Sequence, residues 1–91
     1  MVKSIPKHLL EKISLIYSKK GLSEFKFQDA VVILGHDDRY TGQIISDLVS
    51  AGWIIKKREE SDKRVKIYRI KDPREIMEEL GNNLINEKND L

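Results

Sequence analysis

Basic side chains concentrate in one short stretch of an otherwise nearly neutral chain. Residues 53–71 hold eight basic and three acidic residues, whereas the whole 91-residue chain has a formal net charge of +2. Clustered lysine and arginine bind polyanions, because they neutralise phosphates and release condensed counterions. A solvated, charged hairpin would have the same composition, so the cluster alone leaves both interpretations open. The candidate phosphate contacts are Lys56, Lys57, Arg58, Lys63, Arg64 and Lys66.

A second group of polar side chains precedes this cluster. Apolar residues recur at helical spacing across residues 38–51 and predict a helix there, which ends at Gly52. With the apolar stripe turned inward, Arg39 and Gln43 lie one turn apart on the outer face. Arginine pairs bidentately with guanine and glutamine with adenine in the DNA major groove, although any solvated helix face can carry such residues. The candidate base or phosphate contacts on this helix are Arg39, Tyr40, Gln43 and Ser46.

The sequence offers no residue set expected for catalysis or metal binding. It has no cysteine, and its two histidines do not form a spaced ligand set with carboxylates. Asp37 and Asp38 follow His36, but helix capping explains these aspartates better than metal binding does. The five glycines are scattered rather than grouped in a phosphate-binding loop. We therefore expect no enzyme activity, no cofactor and no metal.

Local patterns predict the elements that precede the polar helix. An apolar stripe follows Ser4, which is a favourable N-cap residue, and predicts a first helix over residues 5–20. Residues 25–27 alternate and are compatible with a very short strand. Residues 29–34 predict a short buried helix that ends at Gly35, in a tight helix–turn–helix arrangement with the polar helix.

The basic stretch has the pattern of a β-hairpin. Residues 53–58 and 64–70 are rich in β-branched and aromatic residues and predict two strands around a polar turn. Trp53 directly follows Gly52 at a strand start, so we expect it in the core below the polar helix rather than stacked on a nucleobase.

A last helix is predicted to begin at Pro73, with Asp72 as its cap. Its apolar stripe has two equally supported roles, contact with a second copy of the chain or packing on the domain's own core. The candidate dimer contacts are Ile76, Met77, Leu80 and Leu84.

The length predicts a single domain over residues 1–85, followed by a frayed tail over residues 86–91. No apolar run is long enough to span a membrane, and the N-terminus lacks the apolar segment of a signal peptide. Together with the absence of cysteine, these features predict a cytoplasmic protein with no membrane partner.

The stretch from Phe25 to Ile70 resembles the winged helix-turn-helix fold. Residues 47–54, with the sequence DLVSAGWI, resemble the end of that family's recognition helix, where a leucine-rich turn and a glycine lead into the wing. Asp62-Lys63-Arg64 resembles the Asp-x-Arg of the MarR-type wing. The resemblance implies an α+β fold with a three-helix core, a β-hairpin wing and a C-terminal helix. It also implies that Asp62 holds Arg64, which enters the DNA minor groove.

MarR-type proteins have additional terminal helices that form their dimer, so the predicted element order fits a smaller winged-helix regulator. We expect a homodimeric transcription regulator that binds double-stranded DNA, with helix 38–51 in the major groove and wing 56–66 on the backbone or minor groove. The alternative is a winged-helix protein-interaction module in a larger assembly. Structured RNA is a third possibility, although the narrow major groove of A-form RNA excludes a helix.

Overall fold

The computed structural model describes residues 2–89, and the side chains of residues 2–87. The strands form one antiparallel sheet in the order β1-β3-β2, so the first strand joins the hairpin along its β3 edge. The elements are α1 (Lys7–Lys20), β1 (Phe25–Lys26), α2 (Phe27–Leu34), α3 (Asp38–Ser50), β2 (Ile54–Arg58), β3 (Lys66–Ile70) and α4 (Pro73–Asn89).

The turn between α2 and α3 has the geometry that the sequence predicts. Gly35 ends α2 with a φ of 68°, in the left-handed region that glycine adopts without steric penalty. Asp37 then caps α3, since its carboxylate accepts a hydrogen bond of 2.8 Å from the backbone N–H of Tyr40. Ile44 and Leu48 are buried on the inner face of α3. The outer face of this helix is thereby left to its polar residues.

Helix α2 differs from the prediction at its start and in its burial. It begins at Phe27 rather than at residue 29, because the Asp29 carboxylate accepts a 2.9 Å hydrogen bond from the backbone N–H of Lys26. The predicted strand over residues 25–27 accordingly stops at Lys26. Val32 is 78% exposed, so the helix is buried on one face only.

The N-terminal segment corrects the predicted start of α1. The helix begins at Lys7, and Ser4 does not cap it. The preceding residues instead pack against the core, where Val2 is fully buried. The backbone carbonyl of Lys3 accepts a hydrogen bond of 2.6 Å from the indole N–H of Trp53, whose buried position agrees with the prediction. Long-range contacts of this kind leave no local sequence pattern.

Helix α4 divides its apolar stripe between core and surface. Ile76 is only 2% exposed and packs in this chain's own core, so the structure corrects its assignment to a dimer contact. Leu80 is half-buried against the same core. Met77 and Leu84 are 63% and 56% exposed and remain candidates for contact with a second copy.

The same helix continues past its predicted end. It extends to Asn89, whereas the sequence predicts a tail frayed from residue 86 onward. The side chain of Asn83 donates a 2.9 Å hydrogen bond to the backbone carbonyl of Val2, which attaches this part of α4 to the N-terminal segment. Residues 90 and 91 of the predicted tail lie outside the described residues.

Candidate nucleic-acid interface

A groove of about 670 Å³ separates α3 from the β2–β3 hairpin. Helix α3 forms one wall, in which Gly42, Ser46 and Ser50 alternate with the apolar Ile45 and Val49, and the hairpin forms the other wall. Four cations and no carboxylate lie among the described residues that line it. The cations are Lys26, Lys56, Arg64 and Lys66.

The register of the hairpin determines which of its cations face the groove. Lys56 pairs with Tyr68, and Lys66 lies two residues before Tyr68 on the same strand. Successive side chains of a strand point to opposite faces, so these three residues share one face of the sheet. Lys57 pairs with Ile67 on the other face, where its ammonium group forms an ion pair with Glu24. The structure therefore does not bring Lys57 together with the groove cations.

The hairpin loop holds Arg64 by a short local arrangement. The Asp62 carboxylate accepts hydrogen bonds from the backbone N–H and the Nε of Arg64, at 3.0 and 3.3 Å. Arg58 reaches across the loop and donates a 2.9 Å hydrogen bond from Nη1 to the carbonyl of Lys63. The guanidinium of Arg64 nevertheless stays open to solvent, with 93% of its side chain exposed. Arg58 thus forms a hydrogen bond across the loop, while the charged groups of Arg64 and Lys63 are exposed near its tip.

The outer face of α3 carries the residues that the sequence placed there. Arg39, Gln43 and Ser46 are all exposed, and Ser50 extends the same face toward the C-terminal end of the helix. Ser46 and Ser50 also line the groove, whereas Arg39 and Gln43 lie closer to the N-terminal end. Tyr40 lies on a flank of the helix and does not line the groove. The residue is 45% exposed, and its ring sits edge-on to the ring of His36, at a centroid distance of 4.5 Å.

Among the groove residues that the sequence did not predict are two with long polar side chains, Lys26 and Gln28. Both lie at the start of α2, which is distant in sequence from the hairpin. Pairing of β1 with β3 brings this start beside the wing, because Phe25 is opposite Tyr68 and Lys26 is opposite Ile67. The sequence showed only a lysine beside a helix start. The sheet order that places this lysine in the groove is a tertiary feature.

Tyr68 is buried at the base of the hairpin, where it packs against β1. Its ring stacks on Phe25 at a centroid distance of 5.8 Å, and only 6% of the residue is exposed. Burial raises the pKa of the Tyr68 hydroxyl above its ordinary value, because desolvation disfavours the phenolate. This aromatic pair ties β1 to β3 and so fixes the start of α2 against the hairpin.

Two solved structures share this architecture at low sequence identity. A mutant of MepR from S. aureus matches with a TM-score of 0.61 and 13% identity, over 91% of this chain and 65% of that chain. The fold is a winged helix. The adhesin competence repressor AdcR from Streptococcus pyogenes matches with a TM-score of 0.52 and 15% identity, over 90% of this chain and 74% of that chain. The predicted winged helix-turn-helix fold is therefore confirmed.

The winged-helix chain spans just under two thirds of the length of MepR. No protein-family model and no curated protein sequence matches it. Within the described part of the chain, no three His, Asp or Glu side chains form a group that could hold a metal ion. None of the described helices is both long and apolar enough to cross a membrane.

Proposed function

We propose that this winged-helix domain binds double-stranded DNA and acts in the cytoplasm as a homodimeric transcription regulator. The observation that carries the proposal is the charge of the groove between α3 and the wing. Four cations and no carboxylate line it among the described residues, in a chain whose net charge is only +2. Such a local excess of positive charge attracts a polyanion far more strongly than the overall charge would.

The shape of the exposed helix fits duplex DNA. A single α-helix fits the major groove of B-DNA, where its N-terminal residues contact base edges. Arg39 and Gln43 occupy that part of α3 and are exposed. Lys56, Arg64 and Lys66 then follow the backbone on one side, and Arg64 is exposed enough to enter a narrow minor groove. Ser46 contacts a phosphate or base from the helix wall.

The polarity of α3 argues against the alternative of a protein-interaction module. Docking to a protein partner through this surface would favour exposed apolar residues on the outer face of α3. Arg39, Gln43 and Ser46 occupy that face instead. The regulatory role itself is supported by the winged-helix fold and by the name of its structural neighbour AdcR, a repressor.

The proposed dimer uses the exposed part of α4. Met77 borders an apolar groove of about 300 Å³ that Leu10 and Tyr17 also line. These three side chains and Leu84 are each more than 40% exposed, and a second copy would cover them. Substitution of Met77 and Leu84 by glutamate is expected to give a monomer in sedimentation equilibrium. A dimer unchanged in both mass and dissociation constant would contradict this contact surface.

DNA binding is tested by fluorescence anisotropy with a labelled duplex of random sequence, in salt from about 50 to 200 mM. Folded wild-type protein is expected to bind, with an affinity that falls steeply as salt rises. Across duplexes that differ at single base pairs, Arg39→Ala is expected to reduce discrimination at one base pair by about 1–3 kcal/mol, whereas Arg64→Ala weakens binding to all sequences alike. Absence of binding by folded protein at the lowest salt would reject the DNA-binding function.

A further inference from the structure

Asp47 is the one carboxylate on the exposed side of α3 beyond its first turn, and its only described side-chain hydrogen bond is to Gln43. The amide Nε2 of Gln43 donates to Asp47 Oδ1 at 2.9 Å, across one helical turn. In the part of the chain that the structure describes, no lysine or arginine forms an ion pair with Asp47. Neutralisation of a neighbouring cation therefore does not explain its position beside the proposed DNA surface.

The contact fixes which way the Gln43 amide faces. An aspartate carboxylate at neutral pH only accepts hydrogen bonds, so the amide atom that faces it must be the donor Nε2. If the amide turned over, its carbonyl oxygen would lie against a carboxylate oxygen. Gln43 therefore presents one remaining N–H of Nε2 and the acceptor Oε1 away from Asp47.

This pattern of one donor and one acceptor complements the major-groove edge of adenine and conflicts with that of guanine. The major-groove edge of adenine offers the N7 acceptor and the N6 amino donor, which complement one donor and one acceptor on the amide. Guanine offers two acceptors, N7 and O6, so an amide held in this orientation would set Oε1 against O6. We propose that Asp47 is a positioning residue that holds the Gln43 amide in the orientation that selects adenine over guanine.

The proposal rests on the proposed DNA-binding function and adds a source of base specificity to it. On a solvated helix the hydrogen bond of such a pair contributes little to helix stability. At a DNA interface, however, an amide turned the wrong way leaves buried polar groups without hydrogen-bond partners. Loss of Asp47 is therefore expected to reduce the preference for adenine over guanine by about fivefold, the lower end of that penalty. Because the substitution also removes a negative charge, overall affinity is expected to rise at the same time.

The test measures base preference by selecting bound duplexes from a random-sequence pool and sequencing them. Wild type, Asp47→Asn, the conservative variant Asp47→Glu, Gln43→Ala and the double variant are compared. Asparagine can donate as well as accept, so Asp47→Asn frees the Gln43 amide to turn over. The expected result is an adenine preference at one position that is about fivefold weaker in Asp47→Asn and is retained in Asp47→Glu. In the Gln43→Ala background, Asp47→Asn should leave base preference unchanged.

Two results would overturn the inference while leaving DNA binding intact. One is an adenine preference that Asp47→Asn does not alter. The other is an effect of Asp47→Asn that persists without Gln43, which would mean that Asp47 contacts a base directly. Failure of the wild type to bind any duplex would instead reject the proposed function, and this inference with it.

Discussion

Two Asp-x-Arg sequences in this chain have nearly the same local geometry in different surroundings. In Asp62-Lys63-Arg64 and in Asp72-Pro73-Arg74, the arginine backbone N–H donates to Oδ1 of the aspartate, at 3.0 and 2.9 Å. Both arginine side chains are almost fully exposed, at 93% and 91%, and both pair with their aspartate. The hydrogen bonds within the Asp-x-Arg motifs alone therefore do not distinguish the two sites.

Their neighbours do distinguish them. Arg64 lines the groove between α3 and the hairpin together with Lys56 and Lys66. Arg74 lies in the first turn of α4, where the Asp72 carbonyl accepts a 3.0 Å hydrogen bond from the N–H of Ile76. We infer that the first motif presents a charge to DNA and the second starts a helix. The proposed DNA contact of Arg64 therefore rests on its tertiary position rather than on the motif alone.

The largest expected effect is on DNA affinity, which should fall far more when groove cations are replaced than when other surface cations are. A triple variant with Lys56, Arg64 and Lys66 replaced by alanine should bind duplex DNA about 500-fold more weakly at 0.1 M salt, since each phosphate contact contributes a slope of about −0.9 in log affinity against log salt. A control triple with the same charge change, Lys7, Lys19 and Arg74 to alanine, should lose far less. Similar losses in both would mean that overall charge, rather than the groove, drives binding.

A smaller effect is expected on stability, where the second motif, Asp72-Pro73-Arg74, should matter more than the first. Asp72→Ala removes the cap of a helix whose Ile76 packs in the core, so the free energy of unfolding should fall by about 1 kcal/mol. Asp62→Ala acts on an exposed loop and should change it by less than about 0.5 kcal/mol. Urea denaturation of the two variants measures both values. An equal or larger loss for Asp62→Ala would show that the wing tip is structural.

The base of the wing, where Tyr68 is buried, should also respond to high pH in a way that the exposed face of α1 does not. Burial raises the pKa of Tyr68, so the folded state holds this proton more tightly than the unfolded state does. Stability contributed by the protonated hydroxyl is present below about pH 10 and is lost as the pH rises through the folded pKa. Tyr68→Phe should flatten the decline in melting temperature above about pH 10, whereas Tyr17→Phe, at an exposed position, should leave it unchanged. A larger effect of Tyr17→Phe than of Tyr68→Phe would exclude Tyr68 as the cause of the decline.

Local patterns were sufficient to predict the elements whose signals lie close together in the sequence. The cap at Asp37, the stop at Gly35 and the spacing of apolar residues such as Ile44 and Leu48 predicted the α2–α3 turn and its polar outer face. The alternation of basic and β-branched residues predicted the hairpin. Each of these features depends on hydrogen bonds or burial within a few residues, so the sequence carries the information directly.

Features that depend on distant contacts were not predictable in the same way. Val2 gives no local signal for its burial, which depends on packing against elements formed much later in the chain. Ile76 and Met77 are adjacent apolar residues, and only the packing of α4 buries the first and exposes the second. Lys26 joins the groove solely because β1 pairs with β3. The DNA contacts proposed on the hairpin face and its tip therefore needed the sheet register before they could be sorted.

The most direct test of the account compares Arg64→Ala with Arg74→Ala in duplex binding across a salt series. The variants change the same residue type at nearly equal exposure and in the same local motif. Arg64→Ala should weaken binding about eightfold at 0.1 M salt and reduce the salt slope by about 0.9, while Arg74→Ala stays within about twofold of wild type. Equal effects of the two substitutions, or a larger effect of Arg74→Ala, would contradict the assignment of the wing groove as the DNA-binding surface.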